Sequence, residues 1–572
     1  MKLPLLDQLT LVLAVLASSA AIAAEPAAAS FAAAGLPPAV AAAAAGIDGE
    51  RIRSHVRFLS HDLLEGRGTG SRGGDIAAEY LATQFALAGL KPAGDDGSYL
   101  QKVRFAGAQT LDSSSLSFVP NDGEALPLKL FDDYVVSNHT LTENVSIDAP
   151  LVFVGYGIDA PEYQWDDYKG VDVRGKVALI IVNEPPSTDP KFFKGEALTY
   201  YGRWTYKYEQ AARKGAVGAV IIHRDDLASY PWSVVKSSWS NEAIALADDP
   251  RQKLQAASWV QLEVARLLLS LSGRELDEAI RQAGSREFKA FELPVRMRAS
   301  IDSRVRRFES SNVVAMLPGA DKGAARQAVL YSAHYDHLGI VADLTGPPGT
   351  DYIFNGAIDN ATGCAVVLEL ARAYASMKAS TGTPPPHPVI FAAVTAEEKG
   401  LLGSKYLGEH PPIPVGQIGL NLNFDSFAPL GVPESVKMLG SERLNFFPTV
   451  EKTAKAFRLA IEPDSRPLAG SYYRSDHFSM ARVGVPAFSV SLGDKFAGQT
   501  REWGQERARE YTAKHYHQPS DEYRADMDFT SSVDMARFGL ALGWQALSAA
   551  TPVAWLPGDE FEATRLKSER NP

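Results

Sequence analysis

At 572 residues the chain is too long for one ordinary hydrophobic core, and two or three domains are expected. Hydrophobic residues make up 45% and charged residues 22%, as in a soluble globular protein, and the formal net charge of -11 excludes the basic footprint of a nucleic-acid-binding surface. Cys364 is the only cysteine, so an internal disulfide is excluded and packing or metal must hold an exported chain together.

Lys2, the apolar stretch Leu9 to Ala17 and the small residues through Ala24 predict a secretory signal peptide over residues 1–24. The apolar stretch is too short for a stable membrane span, and the expected location is secreted or, given the Ala-rich, disulfide-free composition, a bacterial periplasm. Residues 25–46 are almost all Ala and Pro and read as a mobile linker.

From Ile47 the pattern becomes helical. Ile52, Val56, Leu59 and Leu63 share a face, a Gly-rich loop runs from Glu65 to Gly74, and a second helix with Ala77, Leu81, Phe85 and Leu87 ends at Gly89. The loop lacks the spacing of a phosphate cradle, and His55 and His61 read as surface or helix-packing residues. Residues 47–130 are thus the first part of the main domain.

Residues 131–292 differ in character. Short strands are expected at Leu151–Gly157, Gly175–Val182 and Gly215–Ile222, with a helix around Tyr208–Lys214. The only histidines, His139 and His223, have no metal-ligand spacing, so the segment reads as an accessory domain. From Leu293 to about residue 550 strands and helices alternate, which predicts an α/β fold, and residues 551–572 form a charged, peripheral tail.

The chemistry gathers where apolar runs end. Val389 to Val394 leads into Glu397-Glu398; Ala328 to Ser332 leads into His334-Tyr-Asp336-His337; Tyr352 to Ile358 leads into Asp359; Ile418 to Phe424 leads into Asp425; and His515-Tyr-His517-Gln-Pro-Ser-Asp521 follows late in the chain. Singly, each has an ordinary explanation: a solvated helix start for the Glu pair, a core histidine, a helix N-cap for Asp359, a loop residue for Asp425, a surface residue for His517. Together they offer what two neighbouring divalent cations need: one bridging carboxylate, a His and a carboxylate for each, and a base. Adjacent residues of extended chain point apart, so one of Glu397 and Glu398 can bind a metal while the other faces a water.

Six motifs in order, His334-Tyr-Asp336, Asn355-Gly-Ala-Ile-Asp359-Asn-Ala-Thr-Gly363, Thr395-Ala-Glu397-Glu398-Lys-Gly-Leu-Leu-Gly-Ser404, Asn423-Phe-Asp425, Ser475-Asp476-His477 and Tyr516-His517-Gln-Pro-Ser-Asp521, resemble the M28 family of zinc aminopeptidases. Residues 131–292 resemble the protease-associated domain inserted in several exopeptidase families, through Val-Gly-Tyr-Gly, Gly-Lys-Val-Ala-Leu-Ile and Lys-Gly-Ala-Val-Gly-Ala-Val-Ile-Ile. The resemblance implies a mixed central sheet sandwiched by helices, an inserted β-rich domain, two zinc ions and peptide substrates.

Carried over residue by residue, it implies that Asp359 bridges the metals, His334 and Asp425 complete one, and Glu398 and His517 complete the other. Glu397 matches the general base, and Asp336 is expected to accept a hydrogen bond from the ring of His334. His337 and His515 match no ligand position. Tyr472 or Tyr473 is the candidate oxyanion donor, with Arg474, Asp476 and His477 on the substrate side. An aminopeptidase is expected; a carboxypeptidase or glutaminyl cyclase on the same scaffold and a non-catalytic binding relative are the alternatives.

Overall fold

The computed structural model describes residues 30–570 except 190, 241, 250, 252, 322–326, 341–348 and 465–466. The expected signal peptide lies outside the described residues.

Ala328–His334, Val389–Val394 and Ile418–Phe424 form strands in which every residue is buried. Strands covered on both faces need apolar side chains throughout, which is why these segments read as continuous rather than alternating apolar runs. They pair in parallel with Ala328–His334 in the middle, and Ala487–Leu492 continues in parallel beyond Ile418–Phe424. Thr362–Thr381 and Thr530–Leu547 pack on each other and on these strands, while Leu402–Glu409 and His477–Arg482 form a second helical pair. Contact is close: a Cβ on Gly543 would lie 1.8 Å from the hydroxyl of Tyr331.

A 27-residue strand, Phe291–Leu317, joins this sheet to the rest. Its last residues pair antiparallel with Val389–Val394, its middle with Leu100–Thr110, and its start with Ser115–Pro120 and Asn144–Phe153. Beyond it Asn144–Phe153, Val177–Ile181, Gly218–Ile222 and Ala256–Val260 run parallel, each beside the next. The result is one continuous mixed sheet. The helices Trp204–Arg213, Leu262–Ser270 and Leu276–Ala283 accompany its far part, which has apolar clusters of its own.

Three expectations change. The linker reading for 25–46 gives way within the described residues: Pro38–Ala45 is a helix, and Phe31, Leu36, Val40 and Ala44 are buried in the main core, so small apolar side chains here serve packing. Leu63 and Leu87 are 69% and 76% exposed, because the first helix ends at Leu59 and Leu87 sits on the outer side of the last turn of Arg72–Leu87. The C-terminal segment is docked, with Trp555 and Phe561 in the core and a helix at Glu562–Arg570 whose buried Arg565 donates to the carbonyls of Val415, Gly416 and Ile418. Among the described residues no helix is long and apolar enough to cross a membrane.

Candidate metal centre

Parallel strands leave their carboxyl ends side by side, and that is where the site assembles. His334 ends one central strand, Glu397 and Glu398 follow the second, and Asp425 follows the third. Asp359 lies just ahead of the long helix Thr362–Thr381. The backbone enters tightly: Ala396, Ser426 and His517 have φ of 55°, 60° and 57°, left-handed values that non-glycine residues adopt only when surrounding contacts hold them. At Gly356 (φ 56°) a Cβ would lie 2.2 Å from the Asp359 carbonyl, so that turn needs glycine.

The donor atoms form two groups that share one carboxylate. Nε2 of His334 lies 3.3 Å from Oδ1 of Asp359 and 3.4 Å from Oδ1 of Asp425. Nε2 of His517 lies 3.5 Å from the other oxygen of Asp359 and 3.1 Å from Oε2 of Glu398. His517 Nε2 is nevertheless buried and makes no hydrogen bond. Atoms that converge at such distances without pairing fit a common cation better than they fit each other. The charge agrees: Asp336, Asp359, Glu397, Glu398 and Asp425 crowd around a few imidazoles in a buried region.

Protonation follows from that crowding. Burial opposes the charged form of His334, but Glu397, Asp359 and Asp425 outweigh it and hold its pKa well above the usual value. His517 is pushed up to about 9, with Glu398 and Asp359 prevailing over burial. Glu397 is raised well above the usual carboxylate range by burial and by Glu398, Asp476 and Asp425, against His334. Its carboxylate has no hydrogen-bond or ion-pair partner among the described residues and faces a cavity of about 170 Å³.

The supports differ in part from expectation. The carboxylate of Asp336 is 3.9 Å from Nδ1 of His334, whose 3.1 Å neighbour is instead the backbone carbonyl of Asp336. A two-residue turn brings that carbonyl under the ring, so it fixes the tautomer. The Asp336 carboxylate accepts from the backbone N–H of Glu397 at 3.0 Å and from Thr69 Oγ1 at 3.1 Å, positioning the candidate base through its main chain.

Tyr472 donates to the Ala487 carbonyl and Tyr473 to Glu560, so neither hydroxyl is free for an oxyanion. Tyr516, stacked on His517 at 3.9 Å and lining the cavity, has a hydroxyl without a protein partner among the described residues. Asp476 and His477 are fully buried and do not line the cavity; the hydroxyl of Ser475 beside them donates to Asp425 at 2.6 Å, so this turn supports a donor carboxylate from behind. Arg474 does line the cavity.

Three residues join that sequence reading missed. His337 is buried, with Nδ1 2.6 Å from Oε1 of Glu398, and it forms a possible donor set with Asp359 and Glu398. Arg67, buried in the Gly-rich loop, donates to the carbonyls of Tyr335, Asn355 and Gly356 and so clamps the loops of His334 and Asp359 together. Asp521 accepts the backbone N–H groups of Ile358 and Asp359, each at 3.0 Å. Only the adjacency of His337 to His334 and the place of Asp521 in its motif hinted at them. His515 stays outside, bonded to Ser520, and Cys364 is a buried thiol donating to the His334 carbonyl.

His477 gives this region a pH dependence. Burial, opposed by Asp425, pulls its pKa down to about 4. An unfolded histidine titrates near 6.5, so the stability that neutral His477 contributes is complete above that pH and is lost as pH falls toward 4. Urea unfolding is expected to show about 2 kcal/mol less loss between pH 7.5 and pH 5 in His477→Gln than in wild type; equal losses would remove this site as the cause.

The α/β fold thus carries two groups of side chains that could each hold a metal ion. Residues 312–542 match the model of peptidase family M28. Leupeptin-inactivating enzyme 1 of Streptomyces exfoliatus is 29% identical over 262 residues, 44% of this chain and 51% of that protein. A probable leucine aminopeptidase of Arthroderma otae is 29% identical over 199 residues, 34% and 49% of the two chains. The chain thus spans about half the length of the curated relatives it matches. An aminopeptidase structure from Aneurinibacillus sp. strain AM-1 shares the fold, with a TM-score of 0.50 and 19% identity over 90% of this chain and 96% of that one.

Proposed function

We propose that the protein is an exported aminopeptidase that removes N-terminal residues from peptides with two zinc ions and Glu397 as general base. The observation that carries this reading is the shared carboxylate, with one oxygen of Asp359 beside His334 and the other beside His517. His334, Asp359 and Asp425 would hold one ion; Asp359, Glu398 and His517 would hold the other, with His337 braced against Glu398. Such a pair supplies a water of lowered pKa and a Lewis acid for the substrate carbonyl.

The protein's own part is proton transfer and positioning. Glu397 accepts a proton as the water oxygen bonds to the carbonyl carbon, and returns it to the amine nitrogen as the C–N bond breaks. Asp336 holds the main chain of Glu397, Arg67 and Asp521 hold the loop of Asp359, and Tyr516 is placed to donate to the developing oxyanion. The match of residues 312–542 to the family M28 model and the aminopeptidases among the relatives support the reaction class. The apolar start of the chain supports export.

Aminoacyl p-nitroanilides, their N-acetylated forms and a C-terminally blocked peptide test this, with metal content measured on the same sample. Cleavage only of free-amine substrates, with about two metals per chain as the two donor groups require and loss of activity on chelation, is expected. Metal without cleavage of any free-amine substrate would overturn the aminopeptidase reading.

A further inference from the structure

The cavity beside Glu397 has an electrostatic character opposite to that of the whole chain. Its walls come from residues 200–251, 397–405 and 473–517, and they carry five basic side chains, Arg203, Arg251, Lys405, Arg474 and Arg482, in a protein of net charge -11. Two of the five are already neutralised: Arg251 pairs with Asp249 and Glu209, and Lys405 with Asp249. Arg203 and Arg474 have no carboxylate partner among the described residues. The Nη1 of Arg474 donates to Ser229 Oγ at 2.9 Å and its guanidinium lies 5.2 Å over the ring of Tyr230. The Nε of Arg203 is buried and has no hydrogen-bond partner among the described residues.

Such an arrangement costs the folded protein stability. A buried guanidinium donor left unpaired loses its hydration without return, and two like charges sharing one cavity add repulsion. Burial and the neighbouring Arg474 together pull the Arg203 pKa down to about 10. A planar guanidinium presents its donors as a fork matched to a carboxylate, and aromatic walls from Tyr200, Tyr230 and Tyr516 thin the water around it, which strengthens a charge-assisted pair. Glu398, which belongs to a donor group, and Glu397, the candidate base, line the same cavity, but neither carboxylate forms an ion pair with Arg203 or Arg474 among the described residues.

We propose that Arg203 and Arg474 form a carboxylate-binding subsite that selects peptides bearing an anionic group next to the scissile bond. This rests on the peptidase reading above and narrows its substrate class. The anion is either the terminal α-carboxylate of a dipeptide or the side chain of an Asp or Glu residue; both present the same group to the fork. Because Arg203 comes from the accessory segment and Arg474 from the peptidase part, the bound carboxylate also bridges the two, which gives residues 131–292 a direct share in specificity.

The test separates binding from turnover. Zinc-loaded Glu397→Gln protein is titrated calorimetrically with leucyl-glycine against leucyl-glycinamide, and with glutamyl-glycinamide against glutaminyl-glycinamide. In one arm the acid is expected to bind at least about tenfold tighter than its amide, in line with a charge-assisted bond; the arm identifies the source of the carboxylate. Arg203→Met and Arg474→Met, each added to the same background, should bring that ratio toward one with metal content intact, and Arg203→Lys should retain part of it. A ratio near one in both arms, or one that survives both Met variants, overturns the subsite. Wild-type hydrolysis of the same peptides is read in parallel: acid-selective binding without hydrolysis would sink the peptidase reading and leave the subsite standing, and hydrolysis without acid selectivity would do the reverse.

Discussion

Glu397→Gln is expected to lower kcat by about 10³-fold or more while leaving fold and metal content unchanged. Gln has nearly the shape of Glu and keeps the backbone N–H that Asp336 accepts, so the loop that carries it has no reason to move. What it lacks is basicity. In wild type burial and the neighbouring carboxylates raise the pKa of Glu397, which makes the ionised form a stronger base. With Gln the proton of the attacking water has no acceptor at that position, and the leaving amine has no donor. Steady-state kinetics on a leucine p-nitroanilide, with metal analysis on the same preparation, read both halves of the expectation. Turnover within tenfold of wild type would transfer the base role elsewhere.

Asp359→Ala should remove activity and most of the bound metal together. Both donor groups use this one side chain, with Oδ1 toward His334 and Oδ2 toward His517, so its loss would take a ligand from each of the two proposed ions. His517→Ala removes a ligand from one group only, and is expected to retain about one metal per chain. The backbone N–H of Asp359 still reaches Asp521 in the variant, so the loop itself should persist. Because bound ions stabilise only the folded state, the Asp359→Ala protein should also melt lower than zinc-loaded wild type and no longer respond to added zinc. Two metals per chain in Asp359→Ala would refute a shared carboxylate.

The strands that place the site were legible because their environment imposes a simple pattern. Ala328–His334, Val389–Val394 and Ile418–Phe424 are buried on both faces, so their sequences are apolar without interruption and the polar residue that ends each run stands out. Helix ends were less legible. Leu63 and Leu87 continue an apolar period past the point where packing stops, and residues 30–46 look featureless although Val40 and Ala44 are buried, since alanine packs without leaving a pattern.

Support residues were hidden for a different reason. Arg67 and Asp521 act through main-chain groups of distant loops, and a carbonyl or amide partner leaves no trace in side-chain identity. The same holds for Asp336: its residue type was informative, but only the fold decided that its carboxylate would take the Glu397 amide and its carbonyl the His334 ring.

By itself, then, the sequence determined the α/β class and the order of metal-type residues at strand ends, because each is a local consequence of buried strands and of ligand chemistry. Tertiary structure decided which oxygen of Asp359 faces which histidine, that His337 joins Glu398, that Tyr516 rather than Tyr472 or Tyr473 has a hydroxyl without a protein partner, and that Arg203 meets Arg474 across one cavity. Those outcomes depend on distances between segments tens to hundreds of residues apart, which a chain specifies only once all its cores have packed.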